Sequence, residues 1–179
     1  MMTARILDGA YDRLLLFGLR ATTVEDVARH LGIARITIYR RFANRDDLIR
    51  AVLVREGERI FEQVGAAVAH LPKVDDQLVE GFVAILAGVC NHPLVTRVLA
   101  TEPDIALPLA TLNAGPIIAT ARDYLAGHLQ RARAAPVAEL AVRLTLSYLL
   151  TPDSCIPLET DDDARRFARR YLLPLLRTP

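Results

Sequence analysis

Residues 22–48 read TTVEDVARHLGIARITIYRRFANRDDL, and their pattern decides the fold. Thr23 stands where a helix cap belongs, and Asp26 three residues later closes a capping box. Val24, Val27, Ala28 and Leu31 fall on one helical face, and Gly32 supplies a turn. A third helix follows from about Ala34 to Phe42. Its Ile38 and Phe42 are four apart and face a small core, which leaves Arg35, Ile36, Thr37, Tyr39 and Arg40 outside. Asn44, with Asp47 at the third position, caps a fourth helix that runs to about His70 before Pro72 stops it. Upstream, Ile6, Leu7, Ala10, Tyr11, Leu14 and Phe17 give a first helix one buried face, and Gly18 ends it.

Charge is local rather than global. The chain of 179 residues has a formal net charge of +1, yet Val27–Arg45 holds five arginines and no acid. A basic patch on a near-neutral protein is the footprint of a regulated nucleic-acid binder. The acids lie elsewhere, notably at Asp75–Asp76 and Asp161–Asp163. The two cysteines, Cys90 and Cys155, have neither CxxC nor Cys/His spacing, which argues for reduced thiols in a cytoplasmic protein and against zinc. The N-terminus is amphipathic and charged throughout, unlike a signal peptide, and no apolar run approaches the ~18 residues of a membrane span.

With 52% apolar residues, few aromatics and no Trp, the core must be built of Leu, Val, Ile and Ala, and the fold class is all-α. Beyond the fourth helix, periodicity and prolines predict helices over 74–91, 93–101, 104–112, 114–134, 137–150 and 161–176, with loops at 134–136 and 151–160. The last helix opens on Thr160 and Asp163 as a second capping box, and Asp161–Arg165 and Asp162–Arg166 read as i,i+4 pairs.

A short helix carrying arginines, a threonine and a tyrosine outward suits the major groove. Arg35 has the fork geometry for guanine O6 and N7, Thr37 suits a base edge, and Ile36 suits a thymine methyl. Tyr39, Arg40, Arg41 and Arg45 suit phosphate oxygens, and the helix start near Thr23 offers backbone N–H groups to another phosphate.

The stretches ILDGAYDRLLLFG, TTVEDVA, LGIA, ITIYRRF and NRDDL together resemble the tetracycline-repressor-like (TetR) family over about residues 5–50. The resemblance implies a helix-turn-helix domain, residues 1–45, fused through a long helix to a helical effector-binding and dimerisation domain, residues 46–179. It implies that Thr23, Tyr39 and Arg45 contact phosphates and that Arg35 and Thr37 face bases. It also implies a homodimer on double-stranded operator DNA, usually a repressor. The chain departs from the family at Ala34, where a Ser-like cap is usual, at Ile36, where a small residue or proline is usual, and at Arg45, usually Lys.

In the C-terminal part, the 137–150 helix is apolar on nearly every side and must be covered on both sides, by its own core and a partner copy or, alternatively, as the central core helix of a monomer. The expected interface is 137–150 with 161–176. Phe82, Leu86, Val89, Asn113, Ile117, Tyr124 and Tyr148 are the candidate contacts of a small apolar or amphipathic ligand. No cofactor is implied. GxSxG, HExxH and phosphate-loop motifs are absent, so an enzyme is a remote alternative. A dimeric DNA-binding regulator without an effector is the nearer one.

Overall fold

The computed structural model describes residues 1–129 and 134–177 and is helical throughout its regular elements. The elements are α1 (Met2–Ala21), α2 (Val24–Leu31), α3 (Arg35–Tyr39), α4 (Arg45–Val68), α5 (Val74–Cys90), α6 (Pro93–Thr101), α7 (Pro103–Ala110), α8 (Gly115–Leu129), α9 (Ala134–Leu150), α10 (Asp161–Phe167) and α11 (Leu173–Arg177). A π-helical turn, Ala168–Leu172, joins the last two. Two compact units result. Unit 1 is Met1–Arg59 with Pro93–Ala106, and unit 2 is Ile60–His92 with Leu107–Pro179.

Unit 1 is built on the apolar stripe of α1. Ile6, Ala10 and Leu14 are buried against Val24, Val27 and Ala28 of α2, Ile38 of α3, and Leu48 and Val52 of α4. Leu94 and Val98 of α6 complete this core. A helix-turn-helix alone buries little apolar surface, and borrowing α6 from a distant segment enlarges the core. The first helix breaks at Gly18 (φ 83°, ψ 179°) and a last turn continues to Ala21. Gly32, at φ 64° and ψ 36°, gives the left-handed end of α2, and the Ile33 N–H closes it on the Ala28 carbonyl at 3.0 Å. The third helix is shorter than its sequence pattern predicts. Ala34 offers no capping side chain, and the chain leaves α-helix at Arg40. Phe42 N–H still donates to the Ile38 carbonyl at 3.0 Å, so both side chains reach the core as their spacing demands.

Unit 2 is organised around α5, which packs on α8, α9, α10 and the following turns. Its Leu78, Val79, Phe82, Ile85 and Leu86 are buried with Ile118 and Leu125 of α8, Val137 and Ala141 of α9, and Phe167 and Leu172 at the C-terminus. Phe82 and Phe167 stack at 5.5 Å. Arg165 of α10 grips Glu80 of α5 through Nε at 2.9 Å and Nη2 at 3.1 Å, in the bidentate form that arginine favours.

Three expectations change. Residues 134–136 open α9 rather than forming a loop, because Pro136 in a first turn gives up no needed N–H. The pairs on α10 are i,i+3, Arg165–Asp162 at 2.9 Å and Arg166–Asp163, since Arg165 also turns toward Glu80. The helix predicted over 114–134 is observed to Leu129, and its remainder at 130–133 lies outside the described residues. Among the described residues no single helix is long and apolar enough to cross a membrane.

Candidate nucleic-acid interface and effector cavity

The interface begins with the cap of α2. Thr23 Oγ1 accepts from the Asp26 N–H at 3.1 Å, and Asp26 Oδ2 accepts from the Thr23 N–H at 3.2 Å. The Thr23 hydroxyl, donating to the same carboxylate, holds the Asp26 carboxyl below its usual range. Thr23 therefore spends its own donors inside the box and fixes where α2 starts.

From there α2 and the Gly32 turn deliver α3 with Ile38 fully buried and its opposite side in solvent. Ile36 is 59% exposed and Tyr39 43% exposed, with Arg35 and Arg40 beside them and Thr37 half-buried. Ile36, exposed next to Arg35, suits contact with a base methyl. Arg35 Nη1 donates to Glu25 Oε1 of α2 at 2.6 Å. That hydrogen bond lowers the Glu25 carboxyl and raises the Arg35 guanidinium, so both stay charged. Arg41 Nη1 returns to the Thr37 carbonyl at 3.1 Å and tightens the end of α3.

Arg45, expected as a phosphate contact, also makes contacts within the protein. Its Nε donates to the Thr22 carbonyl at 2.7 Å, its Nη2 to the carbonyls of Leu19 and Arg20, and its Nη1 to Asp46 at 3.0 Å. Most of the guanidinium is engaged in holding the α1–α2 connection to the start of α4. Sequence reading missed this, as it missed the Glu25–Arg35 pair. The first joins residues more than 20 apart through backbone carbonyls that carry no sequence signature; the second was legible only as an acid near a basic helix.

Unit 2 holds a half-open apolar cavity of about 30 Å³. Val64 and Val68 of α4, Phe82 and Ile85 of α5, and Leu125 and Leu129 of α8 wall it, Ala138 and Ala141 of α9 close it, and Gln77 and His128 are its polar members. Of the candidates read from sequence, Phe82 lines it. Leu86 is core beside it, Val89 and Tyr148 pack on that core, and Tyr124 braces the wall by stacking on Phe61 at 4.7 Å and donating to the Phe61 carbonyl at 2.8 Å. Asn113 and Ile117 are exposed and away from the cavity. The alanines Ala138 and Ala141 were passed over because small residues carry no binding signature, although they are what leaves space.

Comparison with known proteins agrees with this geometry. Residues 6–52 match the family model for bacterial regulatory proteins of the tetR family, and residues 74–170 match that for the tetracyclin repressor C-terminal domain. The chain is similar to the HTH-type transcriptional regulator AlkX of Mycobacterium tuberculosis, 31% identical over 179 residues, covering 94% of this chain and 82% of the relative. It is also similar to YvkB of Bacillus subtilis, an uncharacterized HTH-type regulator, 41% identical over 49 residues, 27% of this chain and 26% of YvkB. Among solved structures, the TetR family repressor AlkX from Dietzia sp. strain DQ12-45-1b, implicated in biodegradation of n-alkanes, superposes with a TM-score of 0.69 at 26% identity, covering 97% of this chain and 98% of that one. The repressor QsdR of R. erythropolis shares the fold at a TM-score of 0.62 and 20% identity, over 97% of this chain and 93% of QsdR. With an exposed basic recognition helix in unit 1, a helical unit 2 and both halves matched, the chain belongs to the TetR family of DNA-binding transcriptional regulators.

Proposed function

We propose that this regulator is a cytoplasmic, non-enzymatic homodimeric repressor, released from a palindromic operator when a small apolar, chain-like molecule enters unit 2. The observation that carries the ligand reading is the cavity, walled by valine, leucine, isoleucine and phenylalanine with Gln77 and His128 as polar members. Such a lining selects an alkyl chain and leaves one end able to meet a polar group. His128 Nδ1 lies 2.9 Å from the Tyr124 carbonyl, which favours the tautomer with Nδ1 protonated and Nε2 as acceptor. The n-alkane connection of the Dietzia AlkX repressor supports the same ligand class.

At about 30 Å³ the cavity holds no more than a water or a methyl or two, whereas ligand sites run to roughly 300–1,000 Å³. A ligand must therefore bind a more open state of unit 2. Differential affinity for two states is what coupling to DNA requires. The same small volume favours a second reading, in which side chains fill the cavity and unit 2 serves only to dimerise.

The homodimer is supported by what α9 and the C-terminal turns leave in solvent. Leu140 and Leu144, one helical turn apart, are 43% and 37% exposed, and Tyr171 and Leu175 repeat that spacing. The ligand reading is tested with n-decane, 1-decanol and decanoic acid, by thermal shift and by release of operator duplex. A rise in Tm with loss of operator affinity is expected for at least one of them. Unchanged Tm and operator affinity with all three favours the effector-free reading.

A further inference from the structure

Glu102 lies at the junction of α6 and α7, only 8% exposed. A buried carboxylate needs compensation, and here the backbone supplies it. The Leu19 N–H donates to its Oε2 at 2.6 Å and the Arg20 N–H to its Oε1 at 2.8 Å. Two consecutive amides converge on one anion because Gly18, at φ 83° and ψ 179°, breaks the helix just before them, forming an amide nest. The φ favours glycine, and a Cβ at Gly18 would lie 2.9 Å from Glu102 Oε2, so a side chain here would push the carboxylate off the two amides. The carbonyl side of the same turn is gripped by Arg45, and the Thr22 hydroxyl donates back to the Gly18 carbonyl at 2.7 Å. Arg20 itself pairs with Asp104 of α7. The turn opens directly into the Thr23 cap of α2.

Glu102 comes from the one stretch of unit 1, Pro93–Ala106, that lies outside Met1–Arg59, and the chain enters unit 2 at both ends of it. We infer that the Glu102 carboxylate, seated in the Gly18–Arg20 amide nest, is the positioning contact that sets the entry of α2 and hence α3. This rests on the DNA-binding reading and adds a residue that positions its recognition helix.

The full chain and its Glu102→Gln variant are compared by amide hydrogen exchange, thermal unfolding, and binding to an operator duplex selected from random DNA and to a scrambled duplex. Gln keeps the size but removes the charge and turns an NH2 toward one of the two amides. Leu19 and Arg20 should exchange at least about tenfold faster in the variant, operator affinity should fall about tenfold, and scrambled-duplex affinity should stay within about twofold. Operator affinity that survives with both amides freed overturns the positioning role. Slow exchange of both amides in the variant overturns the nest contact. Glu102→Asp, which keeps the charge one methylene short, is the second variant should Glu102→Gln not fold: unchanged operator affinity with both amides exchanging fast overturns the positioning role there as well. Failure to select any operator overturns instead the DNA-binding reading on which the inference rests.

Discussion

Arg35 stands at the entry of α3 with one Nη committed to Glu25, which leaves its second Nη and Nε to approach a guanine edge. A carboxylate that aims an arginine also repels phosphates nearby, so the two residues are separable by substitution. Arg35→Ala should remove a guanine preference at one position of each half-site, a discrimination of about 1–3 kcal/mol per base pair, read by sequencing the selected duplexes. Glu25→Gln should relax the same position while tightening binding to every duplex, measured by fluorescence anisotropy; unchanged base preference in both variants removes the pair from readout. Arg45 makes the opposite contrast. Its donors are turned to the carbonyls of Leu19, Arg20 and Thr22, so Arg45→Ala should lower Tm with little change in the salt slope of binding. Arg40→Ala, exposed at the C-cap of α3, should leave Tm alone and reduce that slope by about 1. A reduced slope for Arg45→Ala would place it among the phosphate contacts.

At the scale of the helix, the sequence was most legible where the physics is local. Both capping boxes, Thr23–Asp26 and Thr160–Asp163, form as read, because a cap joins residues three apart and needs no tertiary partner. The break at Gly18 was equally legible as an end of α1. What Gly18 is for was not, since the anion it turns toward comes from Glu102, more than 80 residues on. Each box lowers its aspartate below the ordinary value, first through the threonine hydroxyl. A depressed folded-state pKa adds stability above the unfolded value near ~3.9 and loses it as pH falls through the folded value. Thr23→Ala should cost about 1 kcal/mol at neutral pH, or about 2–4 °C in Tm, and the difference from the parent chain should narrow in acid below about pH 4. A difference independent of pH would show that the box is not the source. α3 offers the reverse test, for its cap residue Ala34 makes no side-chain hydrogen bond. Ala34→Ser should raise Tm by up to about 2–4 °C, followed by circular dichroism.

For the whole molecule, composition and periodicity were enough for an all-α chain with an N-terminal helix-turn-helix, and the division of labour between DNA contact and a helical body followed from the charge map. The extent of the compact units did not. Unit 1 reaches Arg59 and takes in α6, because Leu94 and Val98 bury into a core that nothing in their own segment announces. The cavity was partly legible: apolar positions of α5 pointed to it, but only the packed structure shows that Ala138 and Ala141 leave the space. On α9 the even spread of apolar residues was read as two covered faces, and Leu140 and Leu144 are the half left in solvent. Leu140→Glu with Leu144→Glu should convert a dimer into a monomer by light scattering and abolish preference for a palindrome, while leaving thermal unfolding cooperative; a persistent dimer would move the interface elsewhere.

The central claim is that α3, presented twice by a symmetric pair, reads a DNA sequence. Selection of bound sequences from random duplex DNA tests it most directly. The expected product is an inverted repeat whose half-site centres lie about 10–10.5 base pairs apart, ~34–36 Å, or a multiple of that distance, with guanine preferred at the position lost in Arg35→Ala. Recovered sequences no more alike than the starting pool, bound with the same affinity as scrambled duplex, would contradict it.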